Sequence, residues 1–267
     1  MGGIVLQSKL TTPDGAKNLS VVIITLNEER NLKGLLPDIP KGAEVIIVDS
    51  GSTDATKAVA EAVGAKFSIR AFDNYSTQKN HAMTLATRSW TLCLDADERP
   101  DDLLWQSILE AIASGSSDAY EVTRRLVFLG KPMGFGRTTD HLLRLFKTGN
   151  ATYSKDIHES LSLAQSSRSE GVTGVLWHHS YRDLTDYFAR FNRYTSLMAE
   201  ARLGKGVTAP PAVILALRIP LDFFGRYVVR LGFLDGWHGF LWAALGSFYG
   251  FVKYAKLKEL SSQSRDQ

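Results

Sequence analysis

The order of apolar segments in the first hundred residues is the feature that most constrains the fold. Residues 20–27 (SVVIITLN) and 43–52 (AEVIIVDSGS) are runs of β-branched residues, and each ends in polar side chains. Continuous apolar runs of this kind are typical of strands buried on both faces of a parallel sheet. The intervening EERNLKGLLPDI has its leucines at helical spacing, so we predict a strand, a helix and a second strand.

The same alternation continues to residue 95. TDATKAVAEAVGA is predicted as a helix that Thr53 or Asp54 caps and Gly64 ends. The short strand KFSIRA, the helix STQKNHAMTLATR and the apolar strand WTLCLD follow. Alternating strands and helices predict an α/β fold of the Rossmann-like type, with a mostly parallel sheet flanked by helices, and ligands in such folds bind beyond the carboxyl ends of the strands.

Carboxylates are concentrated at this predicted edge. Asp95, Asp97 and Glu98 follow the third apolar strand, and Asp49 ends the second. Neither G-x-G-x-x-G nor G-x-x-x-x-G-K-[ST] occurs, so phosphate has to be bound in another way. The D-x-D of Asp95 and Asp97 offers oxygen ligands to Mg²⁺ or Mn²⁺, and such an ion can bridge a diphosphate. The alternative is that these are solvated loop acids.

Composition limits the class of protein. With 267 residues, 44% hydrophobic and 22% charged, the chain can bury one large core and carry an appendage, and we expect disorder only at the ends. A single cysteine, Cys93, leaves no disulfide framework and favours a reducing compartment. The first residues lack the pattern of a signal peptide.

The C-terminal region differs in charge and hydropathy. From Lys205 onward eight basic residues face four acidic ones, a surplus of +4 in a chain whose net charge is +3. The apolar segments PPAVILALRIPLDFFGRYVVRLGF and WHGFLWAALGSFYGFVKY are interrupted before they reach the length of a membrane-spanning helix. Together with the basic residues Lys253, Lys256 and Lys258 they predict helices lying on an anionic membrane. The alternative is that these helices pack on the core or on a second subunit. No basic nucleic-acid-binding module is present, so nucleic acid is not an expected partner.

The motifs also form a recognisable set. Four segments, in their order and spacing, resemble the nucleotide-sugar domain of family 2 glycosyltransferases, which have the GT-A fold. They are SVVIITLNEERNL, EVIIVDSGSTDAT, QKNHAM and LCLDADE. Four later segments resemble the bacterial branch that includes lipopolysaccharide core β-1,4-glucosyltransferases: RLFK, IHESL, HHSYRDLTDYFARFNRYT and GFLDGWHGF. The resemblance extends over residues 19–258. It implies an inverting, metal-dependent transfer of a hexose from a nucleotide diphosphate sugar, with UDP as the expected nucleotide, to a lipid-linked or lipopolysaccharide-core saccharide.

The resemblance also implies a location and a division of the chain. We expect a peripheral protein at the cytoplasmic face of the bacterial inner membrane. Residues 1–18 are expected to be a flexible tail, 19–204 the GT-A domain, 205–260 a membrane-associating helical region and 261–267 a polar tail.

For the nucleotide, the resemblance implies a pocket at the first two strand ends. Asp49 is expected to accept the N–H of the base, with Thr25, Asn27 and Glu28 lining the same pocket. Asn27 has the alternative of merely ending a strand. Glu28 has the alternative of beginning the next helix, where its charge suits the helix dipole.

For the metal and the diphosphate, Asp97 is expected to hold the ion and Asp95 to contact the ribose or the ion. His178 is expected as a further ligand, although the histidine that follows it leaves the position open. Lys79 is expected to neutralise donor phosphate, or else to be a solvated surface charge. Arg144 is expected to grip the phosphates or an anionic acceptor, or else to pair with an acid at the edge of the core.

An inverting transfer also needs a base that removes the proton of the attacking hydroxyl. In YSKDIHESL the resemblance favours Glu159 as that base, with His158 orienting it or the acceptor. Asp156 is the second candidate.

Two functions outside this class compete. A phosphatase with an aspartyl nucleophile also uses D-x-D, but that chemistry needs the motif on the first strand, whereas here it ends the third. A membrane-bound nucleotide-sugar sensor would keep the fold without turnover, and the presence of Asp95, Asp97 and Glu159 argues against it.

Overall fold

The structure is a computed structural model that describes residues 14–154 and 160–263, and it divides the chain into two compact units. The first unit is Met1–Arg124 with His141–Trp177, and the second is Arg125–Asp140 with His178–Gln267. The strands are β1 Leu19–Thr25, β2 Glu44–Asp49, β3 Lys66–Ile69, β4 Trp90–Asp95, β5 Glu98–Pro100, β6 Ala119–Phe128, β7 Lys131–Pro132, β8 Thr139–Lys147, β9 Ala151–Ser154, β10 Ser160–Leu163, β11 Ser169–Gly171 and β12 Leu176–Tyr181. The α-helices are α1 Glu29–Leu35, α2 Thr56–Ala62, α3 Tyr75–Thr84, α4 Asp102–Ser114, α5 Leu184–Leu203, α6 Ala212–Phe224 and α7 Gly236–Gln263.

Four parallel strands form one half of the main sheet. Their order is β3-β2-β1-β4, and the path continues through β8, β6, β12 and β5. The register pairs Thr25 with Asp49 and Ile24 with Asp95, so the carboxyl ends of β1, β2 and β4 coincide at one edge. Strand β8 joins β4 in the antiparallel direction. The predicted α/β fold with a mostly parallel sheet is confirmed.

Burial of both sheet faces explains why the strands are continuously apolar. Val21 and Ile23 belong to one buried cluster with the leucines of α1 and the large side chains of α4. Val22 and Cys93 belong to a second cluster, which includes Ala82 of α3. Neighbouring residues in a strand point to opposite faces. Helices on both faces therefore require apolar side chains at every position.

The structure places secondary structure and unit boundaries differently from the predicted division of the chain into tails and regions. Asp14–Asn18 form a 3-10 helix, with Ala16 buried, so this part of the predicted tail is packed; residues 1–13 lie outside the described residues. The boundary predicted between residues 204 and 205 lies inside the second unit, which contains α5 as well as α6 and α7. Helix α7 continues to Gln263, so the first three residues of the predicted polar tail are helical; residues 264–267 lie outside the described residues.

Helices α5 and α7 and the turn after β6 share the core of the second unit. Phe128, Met133 and Tyr187 are buried there, with Trp242 of α7 packed against them. The buried carboxylate of Asp235 accepts hydrogen bonds from the N–H groups of Gly134 and Phe135 at 3.0–3.2 Å. None of the described helices has the length and hydropathy needed to cross a membrane.

Candidate active site at the strand ends of the first unit

Asp49 connects the ends of β1 and β2. One oxygen of its carboxylate accepts the N–H groups of Gly51 and Ser52 at 2.9 and 2.7 Å. The other accepts the hydroxyls of Thr25 and Ser52 at 2.8 and 2.5 Å. Asp49 is only 2% exposed. A carboxylate has about four acceptor positions, and all four are filled by this part of the chain.

These contacts determine the charge state of Asp49. Burial raises the pKa of the carboxyl group, but the hydrogen bonds from Ser52, Thr25 and Gly51 outweigh burial and hold the pKa below its ordinary value. Asp49 is therefore an anion at neutral pH. A nucleotide base that donates an N–H to Asp49, as the family resemblance implies, has to take the place of one of the hydroxyls.

Asn27 and Glu28 lie in the loop after β1 and join it to the loop after β2. Asn27 has φ +57°, a left-handed conformation that asparagine tolerates. Its side-chain oxygen accepts the N–H of Thr53 at 2.9 Å. The N–H of Glu28 donates to the hydroxyl of Thr56 at 2.8 Å. Glu28 is also the N-cap residue of α1. The four residues predicted for the nucleotide pocket thus lie at the ends of β1 and β2 and in the loop after β1.

Asp95 lies between two cations at the end of β4. Its carboxylate is 2.8 Å from Nζ of Lys79 on α3 and 3.0 Å from Nη2 of Arg144 on β8. Lys79 and Arg144 are 7% and 5% exposed, so neither is a solvated surface charge. The structure brings these three predicted site residues together, and Arg144 takes the alternative of pairing with an acid.

Glu98, which the sequence grouped with the D-x-D but gave no role, completes this cluster. It is 0% exposed. Its carboxylate accepts hydrogen bonds from Arg144 at 2.7 Å, from Arg124 at 3.3 Å and from the N–H of Asp95 at 2.9 Å. Its position one residue beyond the D-x-D was the available signal, but nothing in the sequence paired it with Arg124 or Arg144.

The buried cluster shifts the pKa values of Asp95 and Arg144 in opposite directions. Burial raises the pKa of Asp95, but Lys79 and Arg144 outweigh burial and hold it well below the ordinary value. Burial lowers the pKa of Arg144, but Glu98 and Asp95 outweigh burial and raise it well above the usual range. The Nε of Arg144, a donor, is buried and has no hydrogen-bond partner among residues 14–154 and 160–263. Two carboxylates, Asp95 and Glu98, are thus surrounded by the three cations Lys79, Arg124 and Arg144.

Asp97 is half-buried in the turn between β4 and β5. The next basic residue, Arg99, donates to the backbone oxygens of Ala96 and Glu98, both at 2.9 Å, and to that of Asn31. Burial holds the pKa of Arg99 below its ordinary value, although the charges of Asp97, Asp38 and Glu28 act in the opposite direction. Arg99 therefore connects the D-x-D turn with α1, which carries Glu28 at its start.

The described residues do not preassemble a metal site of three protein ligands. No three His, Cys, Asp or Glu side chains meet in an arrangement that could hold an ion within residues 14–154 and 160–263. His178 lies in β12 and belongs to the second unit. Magnesium sites, however, commonly use one or two carboxylates and complete the coordination with substrate phosphates and water. The D-x-D fits this kind of site, with Asp97 in the turn after β4 and Asp95 at the end of that strand.

The predicted base and its neighbours, Glu159, Asp156 and His158, lie outside the described residues. The described residues on either side of them, Ser154 and Ser160, are paired in the antiparallel β9–β10 sheet. The side chain of Asn80 binds both backbone groups of Tyr153 at 2.8–2.9 Å, which fastens β9 to α3. Lys79 is on the same helix.

The edge has the features expected of a site for a phosphorylated ligand. It combines the two hydrogen-bonded loops beside Asp49 with a D-x-D next to buried cations, at the carboxyl ends of parallel strands, where α/β folds bind ligands. Fold and site together are typical of α/β proteins that bind phosphorylated ligands.

The family model described as Glycosyl transferase family 2 matches residues 20–162. The lipopolysaccharide core biosynthesis glycosyltransferase LpsC of Rhizobium meliloti (strain 1021) is 30% identical over 90% of this chain and 91% of that protein. The chain belongs to glycosyl transferase family 2, and it is a glycosyltransferase. Family membership excludes the phosphatase alternative.

Other similar proteins include an uncharacterized glycosyltransferase, RT0209, of Rickettsia typhi (strain ATCC VR-144 / Wilmington). It is 28% identical over 94% of this chain and 90% of that one. Among solved structures, S. aureus TarS 1-349 matches 93% of this chain and 91% of that chain, at 14% identity and a TM-score of 0.41.

Proposed function

We propose that this glycosyltransferase is inverting and metal-dependent, and that it moves a hexose from a nucleotide diphosphate sugar to a lipid-linked or lipopolysaccharide-core saccharide. The observation that carries the proposal is the meeting of the D-x-D at the end of β4 with Asp49 at the end of β2, since β1 lies between them in register with both. The name of the R. meliloti relative supports the class of acceptor.

The charge of the cluster suits a diphosphate. Lys79, Arg124 and Arg144 outnumber the carboxylates of Asp95 and Glu98 by one. In a site with a low dielectric constant, a surplus cation stabilises a phosphate anion more than it does in water. The cluster also holds Asp95 in one orientation, because both of its oxygens have a cationic partner.

A divalent ion, Mg²⁺ or Mn²⁺, would be held by Asp97 with Asp95 close by, and when bound it would neutralise the charge that grows on the leaving diphosphate. Asp49, fixed by Thr25 and Ser52, would orient the base of the donor. Glu159 would accept the proton of the acceptor hydroxyl, with Asp156 as the second candidate.

Membrane association is the second part of the proposal. Apolar side chains that are 40–69% exposed crowd α6, the turns after it and the start of α7: Val213, Ile214, Leu217, Leu221, Phe224, Val228, Val229, Leu231, Phe233, Leu234, Trp237 and Phe240. Exposed apolar surface of this extent favours a lipid or protein partner. A peripheral position at the cytoplasmic membrane face would bring the enzyme to a lipid-linked acceptor.

The structure also changes which of the α7 lysines can supply the basic charge that was expected at a membrane. Lys253 is only 9% exposed. Lys256 donates to the side chains of Asn192, Thr195 and Ser196 of α5 at 2.7–2.9 Å. The membrane contact that we propose therefore does not rest on a row of exposed lysines on α7, and it includes the apolar side chains of α6 and the turns after it.

The test of donor binding is a calorimetric screen of nucleotide sugars, with and without Mn²⁺, against the wild type and Asp97→Asn. We expect one nucleotide sugar to bind in a metal-dependent manner and the variant to lose that dependence. Asp102→Asn, an exposed acid at the start of α4, is the matched control and should bind like the wild type. Metal-dependent binding that survives in Asp97→Asn contradicts the assigned role.

The test of the base is Glu159→Gln. It should abolish transfer of the sugar and leave donor affinity within a factor of about two, because a base acts on the proton of the acceptor. Asp156→Asn is the matched variant and should retain transfer. If Asp156→Asn abolishes transfer and Glu159→Gln does not, the two assignments are reversed.

A further inference from the structure

Three basic side chains of the second unit surround one aromatic ring. Nη1 of Arg202 on α5 donates to the hydroxyl of Tyr254 at 3.2 Å, and its guanidinium carbon is 5.1 Å from the ring centroid. The guanidinium of Arg218 on α6 is 5.7 Å from the same centroid, and Nζ of Lys253 is 5.1 Å from it. Three helices thus bring three positive charges to Tyr254. We refer to Arg202, Arg218 and Lys253 as the Tyr254 cation cluster.

The charges of this cluster are not balanced by acids. In the part of the chain that the structure describes, no carboxylate forms an ion pair with any of the three cations. Lys253 is 9% exposed and donates no hydrogen bond to a described residue, and the Nε of Arg202 is buried without a partner. Buried cations are normally paired, because removing them from water is costly. Cation–π contacts compensate only part of that cost.

The pKa of Lys253 shows the same imbalance. Burial lowers this pKa, and the charges of Arg202 and Arg218 lower it further. No acid raises it, in contrast to the cluster at Asp95, where each cation has a carboxylate. An anion bound among the three side chains would reverse this effect.

We propose that the Tyr254 cation cluster binds a phosphate group carried by a membrane lipid. Two guanidinium groups and an ammonium group supply donors that suit the several oxygens of a phosphate. Arg218 is exposed and lies between the exposed Leu217 and Leu221 on α6, so a phosphate at Arg218 would have its acyl chains beside apolar side chains. This inference rests on the proposed membrane association, and it does not depend on the donor site, because all three cations belong to the second unit.

The competing explanation is that the three cations only pack against Tyr254. The close approach of Arg218 to Gly250, where a Cβ atom would be 3.5 Å from Nε, is compatible with such packing. The two explanations differ in the expected effect of Lys253→Met, which keeps the length of the side chain and removes the charge. If Lys253 is needed for packing, the variant is less stable. If its charge is uncompensated without a ligand, the variant is more stable in phosphate-free buffer and no longer responds to phosphate.

The experiment measures thermal unfolding of the full chain with inorganic phosphate or glycerol 3-phosphate, each compared with chloride at equal ionic strength. It also measures flotation with vesicles of phosphatidylglycerol or phosphatidylcholine. At a ligand concentration of about ten times Kd, the wild-type unfolding midpoint should rise by about 3–6 °C. Lys253→Met and Arg218→Gln should lose that rise and at least half of the flotation with phosphatidylglycerol. Lys258→Met, an exposed lysine on the same helix, is the matched control and should behave like the wild type.

The outcomes separate the possible sources of the phosphate. A response to phosphatidylglycerol alone assigns the site to a lipid headgroup, and a response to the soluble phosphates as well assigns it to phosphate groups in general; both support an anion site. No difference between phosphate and chloride, together with equal flotation of wild type and Lys253→Met, overturns the proposal. An equal loss in Lys258→Met also overturns it, because it would show general attraction between charges. Arg218→Gln keeps the test valid if Lys253→Met fails to fold, since Arg218 is exposed.

Discussion

Replacement of Glu98 by glutamine should destabilise the protein strongly. Glu98 is 0% exposed and accepts hydrogen bonds from the backbone of Asp95 and from the side chains of Arg144 and Arg124. Glutamine keeps the volume and removes the charge, so the buried guanidinium of Arg144 would be left with Asp95 as its acidic partner. Breaking a buried pair from one side costs about 3–5 kcal/mol. We expect the free energy of unfolding to fall by that amount.

Denaturant unfolding at neutral pH measures this loss, and a thermal midpoint lower by about 6–20 °C should accompany it. Glu29→Gln is the matched control. The Glu29 side chain is 32% exposed and pairs with Lys33 one turn later in α1 at 2.5 Å. Exposed pairs contribute less than about 1 kcal/mol, so this variant should differ little from the wild type.

A double-mutant cycle with Arg144→Met tests the cause. If Glu98 and Arg144 stabilise each other, removing both should cost less than the sum of the single losses, by about 1–3 kcal/mol. Asp95 would then keep its contact with Lys79. A loss below about 1 kcal/mol in Glu98→Gln, or simple additivity in the double variant, would refute the view that these charges depend on each other.

Two further variants test other parts of the fold. Burial raises the pKa of Glu44, but hydrogen bonds from Lys66 and other donors outweigh burial and lower it from 4.5 to about 2. Glu44→Gln should therefore lower the free energy of unfolding by about 3 kcal/mol above pH 5, and this difference from the wild type should vanish as the pH falls toward 2. Denaturant unfolding at several pH values measures the difference. Gly239→Ala should cost several kcal/mol, since its Cβ atom would lie 1.8 Å from the carbonyl oxygen of Gly232. Gly225→Ala has open space and helical dihedrals, and it should stabilise the protein by about 0.5–1 kcal/mol in the same unfolding assay. Equal effects of the two glycine variants, or a constant effect of Glu44→Gln across pH, would contradict these expectations.

The parallel half of the sheet could be predicted because its sequence signal is local. Strands buried on both faces need apolar side chains at every position, so β1, β2 and β4 are visible as runs. The common edge of Asp49 and Asp95 follows from parallel pairing alone. The start of α2 was harder to locate: the sequence placed its cap at Thr53 or Asp54, but the helix begins at Thr56 with Ala55 as N-cap. The carboxylate of Asp54 still accepts the N–H of Thr56 at 3.0 Å.

The partners of charged residues could not be predicted, because they depend on contacts distant in sequence. Arg144 meets Glu98 across 46 positions, and the pattern around either residue also fits a solvated charge. The lysines of α7 show the same limit. Lys253 and Lys256 were expected to face a membrane, but Lys253 is buried and Lys256 is bonded to α5, whereas Lys258 is exposed. The roles predicted for Glu159, Asp156 and His158 in catalysis, and for His178 as a ligand, stay predictions.

The order of the strands along the chain has a consequence for protein synthesis. The four parallel strands are complete by residue 95, but β8, which covers the other side of β4, ends only at residue 147. At about 5–20 residues per second, a ribosome needs roughly 3–10 s to make the intervening segment. During that interval the nascent chain presents β4 as an open sheet edge, the kind of surface at which chains aggregate. Of the two cations that pair with Asp95 at the end of β4, Lys79 precedes it in the chain, whereas Arg144 lies on β8 and is made last.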